Sequence, residues 1–231
     1  IMGALVAKEN ILVWTDNALY TMKFVGAPFT LYGYAVEGSH AGSLVSSKTG
    51  LYDGRYEQFC ELLLPNVLHE MKIQAKGGAD AVCIFDTAVG ELTLKDFKTY
   101  AIPKIKYLTS EFKKDFPDTK IIYYSRNTHV EYLRAIEDDN IDVLGVDWRH
   151  NLAGVINEFS KDYYIQGNFD PCWLHLPWEQ CEENLKEFHL NLLMGKADMS
   201  KWICGLGHGV LQHTPEQNVK NAVKFIHENF V

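Results

Sequence analysis

A chain of 231 residues is long enough for one sizeable α/β domain with a real core. Its 47% hydrophobic and 13% aromatic content excludes a disordered polymer, and no apolar run approaches the ~18–20 residues of a membrane span. A formal net charge of −8 argues against a nucleic-acid surface. The five cysteines (Cys60, Cys83, Cys172, Cys181, Cys204) are odd in number and scattered, so they read as reduced thiols. Nothing at the start resembles a signal peptide, and the expected compartment is the cytoplasm. The chain opens on Ile1 rather than Met, so the natural N-terminus, with any targeting information, is expected to be absent.

Six short apolar runs, each closed by Gly, Asp, Asn, Ser or Pro, set the cadence: MKFVGAP (22–28), AVCIFDTAVG (81–90), KIIYYSRN (120–127), VLGVDWR (143–149), YYIQGNFDP (163–171) and WICGLGHG (202–209). Continuous apolar runs separated by amphipathic intervals predict parallel strands alternating with helices. Residues 1–21 carry weak periodicity and suggest a short helix or edge segment. Pro28 stops the first strand, and one or two helical turns over 29–38 bring Tyr32 or Tyr34 near its carboxyl end. Residues 39–52, rich in Ser and Gly, read as a mobile loop.

A helical pattern follows over 53–78 with Phe59, Leu62, Leu63, Val67 and Met71 on one face; Pro65 predicts a kink or a break, and Gly77-Gly78 end it. Strand 81–86 ends at Asp86, and an amphipathic helix is expected over 94–116. Strand 120–124 ends at Ser125-Arg126-Asn127, and Thr128 is placed to cap a helix over 129–138. Strand 142–146 leads into Asp147-Trp148-Arg149, and strand 163–167 into Asn168. Glu179 to Met194 reads as the longest uninterrupted helix. After the last strand comes GLGHG (205–209), then Thr214-Pro215-Glu216-Gln217, in which Thr214 reads as N-cap and Gln217 as the return arm of a capping box. His208 thus lies in a strand-to-helix turn between two glycines, which allow positive φ and leave space around the imidazole.

The sequence has no GxGxxG, no GxxxxGK[ST], no HExxH, no paired CxxC and no GxSxG. Cys172 and His175 form a lone CxxH, a spacing most often coincidental. What remains is a ring of polar strand ends: Asp86, Ser125, Asp147, Asn168 and His208. In a β/α barrel such ends converge on one face, where the active site lies. Each also has an ordinary role to set against a functional one: Asp86 as a loop anchor, the tyrosines as half-buried rings.

The segments GAPFTLYGYAVEG (26–38), IFDTAVG (84–90), GVDWR (145–149), QGNFDP (166–171) and GLGHG followed by TPEQNV (214–219) resemble, in order and spacing, the signature run of the uroporphyrinogen decarboxylase family. The similarity runs from residue 22 to 231. It implies a (β/α)8 TIM barrel, here incomplete, with the six strands standing as the third to eighth of eight in one domain over 1–231. It further implies decarboxylation of the four acetate arms of uroporphyrinogen to coproporphyrinogen in haem biosynthesis, with no metal or organic cofactor and in a homodimer. By similarity Tyr34 is a substrate-cleft tyrosine, Ser125 the small hydroxyl residue after the fifth strand, and His208 the histidine that contacts a substrate carboxylate.

The departures from that pattern matter too. The family's arginine-rich early segment and its pyrrole-binding aspartate have no counterpart, so the catalytic groups are expected outside the chain, which alone should be inactive. Tyr-Tyr-Ser-Arg at 123–126 replaces the usual Phe before Ser/Thr-Lys, and Cys204 replaces an Asn. Two other functions fit the resemblance less well. A corrinoid-linked methyltransferase of the same superfamily needs a thiol-activating zinc site, commonly H-x-C, which the fifth strand lacks. A non-catalytic porphyrinogen-binding or interaction module is the other.

Overall fold

The computed structural model describes residues 51–230 and, before them, the backbone of four strands within residues 3–39. The chain divides into two compact units, Ile1–His69 and Glu70–Val231.

The first unit is an antiparallel meander: β1 (Gly3–Ala7), β2 (Asn10–Trp14), β3 (Ala18–Phe24) and β4 (Tyr32–Ser39), each paired with the next. Leu12 stands opposite Thr21 and Met22 opposite Tyr34. This overturns three expectations. Residues 3–7, 10–14 and 18–21 are strands, β1 at the sheet edge, rather than a helix; residues 22–24 of the run at 22–28 belong to β3 and are not parallel; and residues 32–38 of the expected helical turns over 29–38 lie in β4. The connections carry the reason. Two, three and seven residues separate the successive strands, whereas a parallel crossover needs about a dozen. The loop expected over 39–52 falls mainly outside the described residues.

Helix α1 (Arg55–Lys76) runs through Pro65 without a break and, at 22 residues, is the longest helix among the described residues. Cys60 and Met71 are its buried positions, while Leu62 of the expected face is 72% exposed. It ends in a Schellman cap: Gly78 takes φ +95°, and the amides of Ala79 and Gly78 return to the carbonyls of Gln74 and Ala75.

The second unit is built on five parallel strands in sequence order: β5 (Ala81–Asp86), β6 (Lys120–Ser125), β7 (Val143–Gly145), β8 (Tyr164–Phe169) and β9 (Trp202–Leu206). Between them lie α2 (Ile102–Asp115), α3 (Val130–Ala135), α4 (Leu152–Phe159) and α5 (Trp178–Met194), and α6 (Glu216–Asn229) follows β9. β5 and β9 do not pair with each other, so the sheet is an open arc. Ile121, Tyr123, Leu144 and Ile165 of the central strands are fully buried, while Phe85 on β5 is 71% exposed. That gradient is what an arc with two edges requires.

Several local expectations also give way. A π turn (Phe97–Ala101) precedes α2, whose second residue Pro103 can supply no N–H to a regular helix. His129, not Thr128, holds the N-cap position of α3, without a side-chain bond. The capping box at 214–217 does not form: Thr214 donates to the Leu211 carbonyl and Gln217 to Asn221. Asn218 instead latches α6 to the turn after β8, its amide donating to the carbonyls of Leu174 and Leu176. Beneath that latch, Phe169, Leu174, Cys181, Leu185, Ala222 and Phe225 form a core cluster.

The amino ends of the central strands meet at Asp142. Its carboxylate accepts the Ile121 amide at 2.9 Å, Lys113 Nζ at 2.9 Å and Lys120 Nζ at 3.0 Å. Burial pushes this carboxyl up, but the amide and the two ammonium groups outweigh it and hold the net value below the ordinary range. A depressed carboxyl adds stability above its unfolded value of about 3.9 that is lost as pH falls through the folded value. Asp142→Asn is therefore expected to cost about 1–3 kcal/mol at pH 7. Urea unfolding at a series of pH values should show the gap closing below about pH 4.

Candidate functional site at the carboxyl rim of the parallel sheet

Because the strands are parallel and in register, their carboxyl ends lie side by side: Asp86 opposite Ser125, and Asn168 opposite Gly205. The rim therefore collects the polar ends of β5 to β9. Its centre is Asp147, fully buried, in the turn after β7. One oxygen accepts the Asn127 amide and Arg149 Nη1, both at 2.8 Å, and the other accepts the Arg149 amide at 2.9 Å. Asn168, 3% exposed, donates to the carbonyls of Asp147 (2.7 Å) and His150 (3.0 Å). Three strand-end turns are thus tied by one carboxylate and one amide.

His208 is half-buried in the turn after β9. Its Nε2 lies 3.0 Å from Arg126 Nη1, and its Nδ1 lies 3.2 Å from the Gly209 carbonyl. A guanidinium only donates, so Nε2 must accept and the proton sits on Nδ1, where the carbonyl receives it. The edge of the ring meets Trp148 at 6.1 Å, and the Arg149 guanidinium covers the Trp148 face at 4.4 Å. The glycines of GLGHG do not serve by positive φ as expected, since none of Gly205, Gly207 and Gly209 adopts it. Gly207 is needed for close approach: an added Cβ would stand 2.4 Å from the Trp148 amide nitrogen. The Tyr124 hydroxyl pins the same residue by donating to its carbonyl at 2.7 Å.

Ser125 is 1% exposed, and its hydroxyl lies 3.2 Å from that of Thr128, which in turn lies 3.4 Å from His150 Nε2. Burial holds His150 below the usual histidine range. Asp86, at the end of β5, accepts the Tyr123 hydroxyl at 2.9 Å; burial pushes its carboxyl up and the phenol only partly offsets that. Of the residues singled out by resemblance, Ser125 and His208 share this rim, linked through Arg126, the neighbour of the first and partner of the second. Tyr34 lies in β4, and its side chain is outside the described residues. The CxxH pair separates, with Cys172 exposed and His175 bonded to Thr214. Among the described residues no three His, Cys, Asp or Glu side chains gather as a metal site would require. Sequence reading passed over Thr128 and His150 as site residues and gave Arg126 only a general basic role. The available signal was their position within a few residues of strand ends.

Parallel strands with their polar ends gathered on one rim are the architecture of the β/α-barrel class of folds, whose sites lie at the carboxyl face. Residues 12–229 match the family described as uroporphyrinogen decarboxylase (URO-D). Relatives named uroporphyrinogen decarboxylase include those of Aquifex aeolicus (34% identical over 88% of this chain and 58% of the relative), Koribacter versatilis (34%, over 92% and 59%) and Staphylococcus epidermidis (32%, over 95% and 61%). The chain belongs to the uroporphyrinogen decarboxylase family, and its five-stranded arc is part of that family's TIM barrel. It spans about three-fifths of the length of the relatives it matches.

Two substitutions probe the rim. A buried carboxyl raised above its unfolded value is most stabilising below about pH 4 and loses that stability as pH rises through its folded value. Asp86→Asn should therefore raise the thermal midpoint at pH 7 relative to the native chain, with the advantage gone below about pH 4. Gly207→Ala should cost about 1–3 kcal/mol or more, because only backbone faces the new methyl group. Gly209→Ala, with nothing within 4 Å, should stay within about 0.5 kcal/mol by the same denaturation assay.

Proposed function

We propose that these residues form part of a porphyrinogen decarboxylase site that removes the acetate carboxylates of uroporphyrinogen as CO2 to give coproporphyrinogen, in the cytoplasm and without metal or organic cofactor. The observation that carries this reading is the rim itself, where Arg126 and His208 stand bonded beside Trp148 at the mouth of a parallel sheet. Membership in the uroporphyrinogen decarboxylase family supports the choice of a tetrapyrrole over other anionic substrates. In this reading 1–231 is one portion of a single barrel domain, and homodimer formation is expected as in the notion of a covered sheet edge.

Each carboxylate lost consumes one proton. A pyrrole carbon is protonated, the bond from the acetate methylene to its carboxylate breaks with release of CO2, and the electron pair of that bond neutralises the ring as an exocyclic methylene. A second proton then completes the methyl group while the ring carbon gives up the proton it first took, so that one proton is consumed net and the pyrrole is restored. The costly step is the cationic ring, which needs an anion or aligned dipoles in a water-poor pocket. Ser125 is assigned to holding the macrocycle, as Tyr34 of β4 is by resemblance alone, and His208 with its partner Arg126 to the end of the rim that receives a substrate carboxylate. The proton donor and the pyrrole-binding anion are assigned to polypeptide beyond these residues. The charge balance supports that assignment: the substrate bears eight carboxylates, whereas of Arg126, Arg149, His150 and His208 at the rim, Arg149 is already committed to Asp147 and burial holds His150 below the usual histidine range.

The 231-residue protein is expected to bind uroporphyrin, the oxidised macrocycle with the same carboxylates, yet to convert no uroporphyrinogen. A protein of the relatives' full length that contains these residues should release coproporphyrinogen, read by chromatography of the oxidised products. Failure of that longer protein to decarboxylate would sink the reading, and turnover by the 231 residues alone would overturn the assignment of the acid elsewhere.

A further inference from the structure

The sequence contains four arginines, Arg55, Arg126, Arg134 and Arg149. Three are satisfied by carboxylates: Arg55 by Asp53, Arg134 by Glu158 and Arg149 by Asp147. Arg126 is the exception. It has no carboxylate partner among the described residues, its Nε is buried without any hydrogen bond, and its guanidinium bonds through Nη1 to His208. Asn127 Oδ1 beside it is likewise buried and unpartnered, and Asn127 itself takes φ +60°. A half-buried guanidinium with donors to spare is costly unless something anionic completes it. The backbone here is also held firmly: Gly90 packs so tightly on the Arg126 and Asn127 carbonyls that a Cβ would stand about 2.5 Å from them.

His208 is in the opposite condition. Both of its ring nitrogens are occupied within the chain, Nε2 as acceptor from Arg126 and Nδ1 as donor to Gly209. In this arrangement it has no N–H left for a ligand, whereas the guanidinium keeps free N–H groups in a planar fork suited to a carboxylate. We infer that Arg126 is the carboxylate-binding residue of this rim and that His208 is a positioning residue, its Nε2 fixing the direction of the Arg126 fork. The inference rests on the proposed function for the identity of the carboxylate, but not for the existence of the receptor. It reassigns to Arg126 the contact that resemblance gives to His208.

The test is equilibrium binding to the 231-residue protein of two probes: uroporphyrin, and benzenehexacarboxylate, which carries clustered carboxylates without a tetrapyrrole. Arg126→Gln should weaken both by roughly 10- to 100-fold, as loss of a charge-assisted bond does, and Arg126→Lys by less. His208→Gln, whose amide oxygen can still accept from the guanidinium, should retain affinity within about threefold, whereas His208→Ala should lose more. On an Arg126→Gln background His208→Ala should add little, since there is then no fork to aim.

Wild-type affinity for uroporphyrin that Arg126→Gln leaves intact would overturn the inference while the proposed function stood. Binding of benzenehexacarboxylate but not of uroporphyrin, lost in Arg126→Gln, would support the receptor and overturn the proposed substrate. Equal losses for His208→Gln and His208→Ala, additive with Arg126→Gln, would return the carboxylate contact to His208. Unchanged far-ultraviolet circular dichroism and thermal midpoint in Arg126→Lys show that any loss of binding is local.

Discussion

A carboxylate shut away from water needs donors for its oxygens, and the rim of this molecule is arranged around one such group, Asp147. Asp147 spends its lone pairs on the Asn127 amide from the turn after β6 and on the amide and guanidinium of Arg149 in its own turn. Asn168, from the end of β8, closes on the carbonyl of the same residue. Removing this carboxylate would strand donors from two turns at once, a far larger disturbance than loss of a surface ion pair. The consequence is functional: Arg126 stands one residue before an amide that Asp147 holds, so the direction of its side chain follows from the burial of a different one.

A second constraint is steric. Gly207 passes so close to the Trp148 amide and the Asn168 carbonyl that no side chain fits, and this contact brings the turn after β9 against the turns after β7 and β8. His208 therefore reaches Arg126 because its predecessor has no Cβ. Positioning by close backbone approach and positioning by a buried ion pair are independent devices. They meet at the Arg126–His208 bond, which joins residues 82 positions apart in sequence.

The two sheets show what apolar runs can and cannot say. From residue 81 onward, five runs give five parallel strands at nearly the expected bounds, because helices of sufficient length separate them. Before residue 40 the same kind of run gives an antiparallel meander, because the spacers are too short for a crossover. Composition of the strand was the same signal in both places; connection length was the deciding one. Caps were misjudged for a related reason. Thr128 and Thr214 have the chemistry of N-caps, yet their hydroxyls are engaged elsewhere: Thr128 with Ser125 three residues before it and with the distant His150, and Thr214 with the Leu211 carbonyl three residues before it and with the distant His175.

The residues themselves settle a good deal: an α/β chain, the order of its parallel strands, the polar character of each strand end, and the motif run that marks its family. Those properties are local, written in composition, spacing and the identity of the residue after each strand. Which polar end binds and which one merely holds is not local. Arg126 and Arg149 look alike in sequence, one following Tyr-Tyr-Ser and the other Val-Asp-Trp. Only the folded chain gives Arg149 its carboxylate and leaves Arg126 without one among the described residues, because a charge is satisfied by its neighbours in space, and those are fixed when the sheet brings distant turns to a common edge.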